Sequence, residues 1–395
     1  MADRHPPPFL SSMGRFRLLT DDERALGVPG AGRLTPHDAG QWPPHESPRQ
    51  ALEALIEECL PAGPCQILFS GGRDSSALLA VATFVARRVG ADDPVPVTIR
   101  HPDSPESHEI EWQNLVVAHL KLSQHMVLEF RGEQSWLSSA ATRSLTEFGL
   151  LWPASVHIYG PVFAELRRGS LMTGEGGDLV IEGRRITPLM DAVRVRSPRE
   201  VAGRIKRLLG DRRRAHLERR ELADFLTWLT PAGRELAMRG RIDLEPLRWN
   251  RALRHLTESR PAVFVHDNLA AMVATQGQRP LNPFAHPRFV AAVARDGGWF
   301  GRGARTALMR RFFGDVLSDE VLARRTKAAF NETRWLEPER EFARAWSGAG
   351  VPHEFIDVEK LRQEWLSERP RPLSELQLHA AWLAEHGLPL EPDGT

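Results

Sequence analysis

Apolar positions in the first half of the chain alternate between short runs and helical stripes. ALEALIEECL, residues 51–60, reads as a short amphipathic helix, and the run Ile67, Leu68, Phe69 that follows reads as a strand. Leu78, Val81, Ala82, Val85 and Val89 then recur at the spacing that lays one helix face against a sheet. Gly90–Pro94 is a turn and Val95–Ile99 a second strand. Ser104-Pro105-Glu106 predicts a helix start, with Ser as cap and Pro in the first turn, and Trp112, Leu115, Val116 and Leu120 share one face. Val127–Phe130 is a third strand; a helix over Val156–Arg167 leads into a short strand, Leu171–Thr173. Strands alternating with helices predict an α/β fold with a doubly wound parallel sheet over residues 51–185.

Beyond residue 186 the pattern turns helical to the end of the chain, with helices near Phe264–Ala274, Arg288–Ala294, Thr306–Phe313 and Leu376–Glu385. Residues 1–50, rich in Pro, Gly and His, predict an extended arm with one short pairing segment near Phe16–Leu19. The basic stretch Arg194–Arg220 alternates with Glu and Asp, which favours a solvated helix face over a docking patch. A formal charge of +1 on 395 residues gives no support for nucleic acid as a partner. The two cysteines, Cys59 and Cys65, indicate neither a disulfide framework nor a zinc cluster, and no apolar run approaches the length that spans a membrane, so a reduced cytoplasm is the expected compartment.

Two Gly-rich segments carry the chemistry. Ser70-Gly71-Gly72-Arg73-Asp74-Ser75-Ser76 joins the first strand to a helix N-terminus, where backbone N–H groups lack helical partners and the dipole favours anions. Asp74 would repel a phosphate there unless a cation stood between them, and Mg²⁺ suits one or two carboxylates plus phosphate oxygens. There is no Gly-Lys-Ser/Thr ending, so this is not a Walker A loop. Thr173-Gly174-Glu175-Gly176-Gly177-Asp178 follows another short strand; Asp178 could share a metal with Asp74, and Glu175 could orient or deprotonate an amine.

SGGRDSS resembles the SGGxDS loop of the PP-loop ATP pyrophosphatases, which cut ATP between the α and β phosphates. Followed about a hundred residues later by GEGGD, it resembles the synthetase domain of the asparagine synthetase family. Pro283-Phe284 resembles that family's PFLD segment, Thr306–Arg310 its KxxLR, and Leu317–Phe330 its segment ending in R.K..f. The resemblance covers about residues 65–335. It implies that Ser70, Gly71, Gly72, Ser75 and Ser76 hold phosphates and that Asp74 and Asp178 hold Mg²⁺. It also implies that Leu68, Ile99, Thr173 and Gly174 border the adenosine, that Glu175 manages the incoming amine, and that Lys327 is the catalytic lysine. Lys327 is one of four lysines among 52 basic residues.

The implied activity is an AMP- and pyrophosphate-forming amide ligase that uses ATP to adenylate a carboxylate and joins it to an amine. Met1-Ala2 lacks the catalytic cysteine of the glutamine-dependent members, and fifty residues cannot hold a glutaminase domain. The expected amine is therefore ammonia, ammonia from a partner protein, or an amine on the substrate itself. The last is the route of two relatives in natural-product biosynthesis, one closing β-lactams and one closing the macrolactam of lasso peptides. Tyr159, the single tyrosine, lies closer to the GEG strand than the β-lactam route would lead one to expect. Leu179, His286 and Thr306 depart from the family's Glu, Asp and Lys, which puts an aspartate substrate in doubt. From another class, a PP-loop tRNA-modifying enzyme predicts a broad basic face and often paired cysteines.

Overall fold

The computed structural model describes residues 16–35, 40–104, 109–181, 210–240, 242–244, 246, 248–324 and 334–391. At its centre lies a five-stranded, all-parallel sheet in the order β3-β2-β1-β4-β5. The strands are β1 (Cys65–Leu68), β2 (Val95–Arg100), β3 (Met126–Glu129), β4 (Ser170–Met172) and β5 (Arg279–Leu281). Four of them stand within a residue or two of where the apolar runs predict. β5 is an addition from the half of the chain that reads as helical: it pairs Ser170 with Arg279 and Met172 with Leu281. The molecule is an α/β protein of the PP-loop type with a helical region after it.

Alternation along β1 divides the core. Cys65, Ile67 and Phe69 join one apolar cluster with Met172, while Leu68 and Leu171 join the cluster on the opposite face. The first cluster is built around the Arg73–Val89 helix, which Gly90 ends in the left-handed conformation. This helix is buried from Ser75 through Thr83, well beyond the single stripe its sequence suggests. It is covered on its outer side by the Pro48–Cys59 and Asp319–Ala323 helices; Phe84 and the last turn reach water, and Val89, expected inside, is exposed. The Pro48–Cys59 helix starts with a capping box between Ser47 and Gln50 and carries Pro at its first position.

Several expectations shift. The helix expected from Ser104 is described over Ile110–Leu120, with Glu109 at its start; residues 105–108, where Ser104 would open it, lie outside the described residues. The segment expected as one helix over 156–167 is a 3-10 turn, Ala154–Tyr159, followed by Gly160–Ala164. Phe16–Leu19 forms no strand; the bridge in this arm is Arg33 to Ser259. Residues 16–35 are fastened down: Arg17 pairs with Asp267 at 3.0 Å, and buried Glu23 accepts from Arg260 while boxing the Thr20 cap. In the basic stretch the described part forms the Asp211–Phe225 helix; Arg212 and Arg213 are solvated as expected, whereas Arg214 is buried beside Glu218. A separate helical core gathers Trp136, Trp228, Trp346 and Trp365. No helix among the described residues is long and apolar enough to cross a membrane.

Candidate active site

Strand order fixes where a ligand can enter. From β1 the chain moves to β2 and β3 on one side, then returns to place β4 and β5 on the other. The strand order therefore reverses at β1 and β4, and in such sheets a ligand sits at the carboxyl ends of the strands, against the turns that leave β1 and β4. Those two turns are the two Gly-rich segments of the sequence.

The turn after β1 folds on its own hydroxyls. Ser70 N donates to Ser75 Oγ at 3.3 Å, Gly72 N to Ser70 Oγ at 3.2 Å, and Ser75 Oγ to the Gly72 carbonyl at 3.1 Å. Ser70 is exposed, Gly71 has φ 85°, and Gly72 caps the helix with no side chain to satisfy its first amides. Ser76 Oγ is buried and finds no partner among the described residues. Serine donors, uncapped helical N–H groups and a bare backbone form an anion cradle.

The turn after β4 is pressed against this cradle. A Cβ on Gly174 would stand 3.1 Å from Ser75 N, and one on Gly177 would stand 2.8 Å from both Cβ and Cγ of Asp74. Glycine at these two positions is what lets the turns interlock. Thr173 Oγ1 donates to Asn282 Oδ1 and accepts from Glu175 N at 3.2 Å, which ties the start of the turn to the residue after β5. Glu175 is exposed and Asp178 half-buried. Leu68 and Ile99 lie half-buried at the carboxyl ends of β1 and β2, against the cluster that holds Phe163 and Leu171.

Asp74 is the electrostatic centre. Burial pushes its carboxyl above the usual carboxylate range; Arg305 opposes that, the charge of Asp178 adds to it, and Arg73 lowers it again. Arg305 Nη2 donates to both oxygens of Asp74 at 2.6 Å. The structure brings Asp74 and Asp178 near one another, and sets against Asp74 an arginine, Arg305, to which the sequence assigns nothing. Thr306, where the resemblance expects lysine, lies 3.4 Å from Nη1 of Arg73.

Two further residues hold the cradle from behind. Gln113 Nε2 donates to the Ser70 carbonyl at 3.1 Å. Arg324 Nη1 donates to the Gly71 carbonyl at 2.8 Å and to Glu109 at 2.9 Å, while Nη2 donates to the other Glu109 oxygen. Its guanidinium also lies over the Trp112 ring, 4.7 Å from the centroid. Both carbonyls are thereby held, which fixes the backbone of the turn. Gln113 lies in the Ile110–Leu120 helix, and Arg324 lies three residues before Lys327 in the segment Leu317–Phe330.

The third cluster divides. Phe284 is fully buried and backs the second turn: a Cβ on Gly177 would stand 3.0 Å from its ring, and one on Gly176 2.9 Å from the Ala285 Cβ. His286, standing where the resemblance expects Asp, does a carboxylate's structural work: its Nδ1 accepts from Arg288 N at 3.1 Å and caps the Pro287–Gly297 helix. Lys327 lies outside the described residues. Tyr159 is half-buried and stacked on Phe163 at 5.9 Å.

A search among curated proteins finds no match to this chain. The family model described as Asparagine synthase matches residues 49–384, a span that takes in all five strands, both Gly-rich turns and the arginines behind them. The chain therefore belongs to the asparagine synthase family, and is an ATP-dependent amide ligase of the asparagine synthetase-like kind.

Proposed function

We propose that the protein activates a substrate carboxylate as its adenylate and passes the acyl group to an amine. A carboxylate oxygen attacks the α-phosphorus of ATP, the bond to the bridging oxygen breaks, and pyrophosphate leaves. The amine nitrogen then adds to the acyl carbon, the carbon–oxygen bond to AMP breaks, and an amide remains. The observation that carries this reading is the interlock of two Gly-rich turns at the switch point, with Asp74 and Asp178 near enough for one charge to act on the other.

The roles follow from local chemistry. Amides and hydroxyls of Ser70, Gly71, Gly72, Ser75 and Ser76 would hold the phosphates. Leu68, Ile99, Thr173 and Gly174 would border the adenosine. Asp74 and Asp178 form the paired hard-oxygen donor set that fits Mg²⁺, which would offset phosphate charge when bound. Glu175, on the exposed side of its turn, would take the proton that the amine nitrogen loses. Lys327 would place a cation where negative charge develops on pyrophosphate and on the tetrahedral carbon.

Exchange of labelled pyrophosphate into ATP, screened over carboxylic acids and peptides with free side-chain carboxylates, tests the first half-reaction. Stimulation by at least one carboxylate is expected; no stimulation together with no ATP binding defeats the reading. Glutamine, ammonium and substrate-borne amines added in separate arms identify the acceptor. Lys327→Ala should keep ATP binding and lower product formation on the order of 10²- to 10³-fold; an unchanged rate removes Lys327 from its role.

A further inference from the structure

Arg305 stands in an unusual place. It is the first residue of the Arg305–Phe313 helix, whose cap, Ala304, supplies no side-chain hydrogen bond and whose first turn has no acidic residue. A cation there opposes the helix dipole. It is compensated by reaching across to the start of another helix, where Nη2 bridges both oxygens of Asp74 at 2.6 Å. Both side chains are largely withdrawn from water, at 15% and 19% exposure. Asp74 in turn sits in the first turn of the Arg73–Val89 helix, inside the anion cradle and beside Asp178.

We propose that Arg305 is a resident cation that exchanges partners on nucleotide binding: it neutralises Asp74 in the free protein and turns to the phosphates when a divalent cation takes Asp74. The proposal rests on the adenylation reading above, in that it takes this cradle to be the triphosphate site. Charge accounting drives it. A buried carboxylate cannot serve a guanidinium and a metal ion equally well, so an arriving cation displaces Arg305 from Asp74. A displaced buried guanidinium needs an anion, and the phosphates that travel with the metal provide one at the same helix N-terminus. The number of opposite-charge contacts is conserved through the exchange. Arginine suits both partners, since its planar fork matches carboxylate and phosphate geometry alike.

The exchange makes two affinities move in opposite directions when Arg305 is removed. In the full-length protein, Mn²⁺ alone should bind Arg305→Ala about tenfold more tightly than wild type, because the competing cation is gone, while α,β-methylene-ATP with Mg²⁺ should bind about tenfold or more weakly. Arg305→Lys should lie between the two on both measurements. Asp74→Asn gives an independent check that leaves Arg305 in place: Mn²⁺ binding should fall, and inorganic pyrophosphate without metal should bind more tightly than to wild type. Calorimetry reads every affinity without turnover, and thermal midpoints identify any variant that fails to fold. If wild type binds these ligands and Arg305→Ala leaves both affinities unchanged or moves both the same way, the exchange is overturned and the adenylation reading stands. If wild type binds neither the nucleotide nor pyrophosphate, both fall.

Discussion

Replacing Gly177 by alanine puts one methyl group into the seam between the two Gly-rich turns. The new Cβ would meet Cβ and Cγ of Asp74 at 2.8 Å and Cδ2 of Phe284 at 3.0 Å. Ordinary contact begins at 3.4 Å, so one side must retreat by about 0.6 Å. Phe284 has no room to do so: it is fully buried, with Phe289 5.4 Å away and Phe313 6.1 Å away between ring centroids. Asp74 yields instead, taking the start of its helix and the Arg305 pair with it. The overpacking should cost roughly 1–3 kcal/mol of stability, and displacing a ligand-holding carboxylate by this much should lower pyrophosphate exchange on the order of 100-fold. Exchange kinetics and chemical denaturation measure the two effects separately. Gly160→Ala is the control, since a Cβ there meets nothing within 4 Å. Wild-type exchange in Gly177→Ala would refute the claim that the two turns need glycine to interlock.

Three other outcomes follow from named contacts. His157 and His379 are fully buried with rings 5.3 Å apart, and burial holds His379 down to about 4 and His157 well below its usual value. Neutral histidine is favoured in the folded state, so this stabilisation is complete above pH 6.5 and is lost as pH falls toward 4; His379 alone should remove roughly 3 kcal/mol, and equal urea midpoints at pH 7 and pH 5 would contradict it. Glu109→Ala takes the carboxylate from a buried guanidinium and should cost roughly 3–5 kcal/mol by denaturant titration, with weaker ATP binding because Arg324 also holds Gly71. His286→Ala should lose a helix cap, about 0.5–2 kcal/mol, while His286→Asp should remain close to wild type in the same titration.

Local pattern carried the sequence a long way toward the site. β1, β4 and their Gly-rich turns announce themselves because a strand end, glycines and a helix start are neighbours in the chain. Asp74 and Asp178 could be paired because both turns leave parallel strands on the same side. β5 escaped notice for an equally local reason: Arg279-Pro280-Leu281 is three residues long, includes proline, and has no β-branched residue. It is a strand because β4 is there to pair with it. Gln113, Arg305 and Arg324 were illegible for a different reason. Each acts on the first turn from far along the chain, and nothing next to an arginine in the sequence tells whether it faces water or a backbone carbonyl. Glu109 is a further case, since its partner Arg324 lies 215 residues away in the chain.

The separation between the first turn and its supports bears on how the protein is made. Residues 65–76 leave the ribosome early, but the arginine that fixes the Gly71 carbonyl is 253 residues further on, and the one on Asp74 is 231 residues beyond it. A nascent chain can form β1 and the start of its helix long before that turn acquires its finished shape. Nucleotide binding thus becomes a report on completed synthesis: a chain truncated before residue 305 carries the whole SGGRDSS sequence, its hydroxyl contacts and Gln113, but neither of the arginines that hold Gly71 and Asp74. For the same reason, moving those seven residues onto another strand and helix would transfer the motif without the side chains that hold it from elsewhere in the chain.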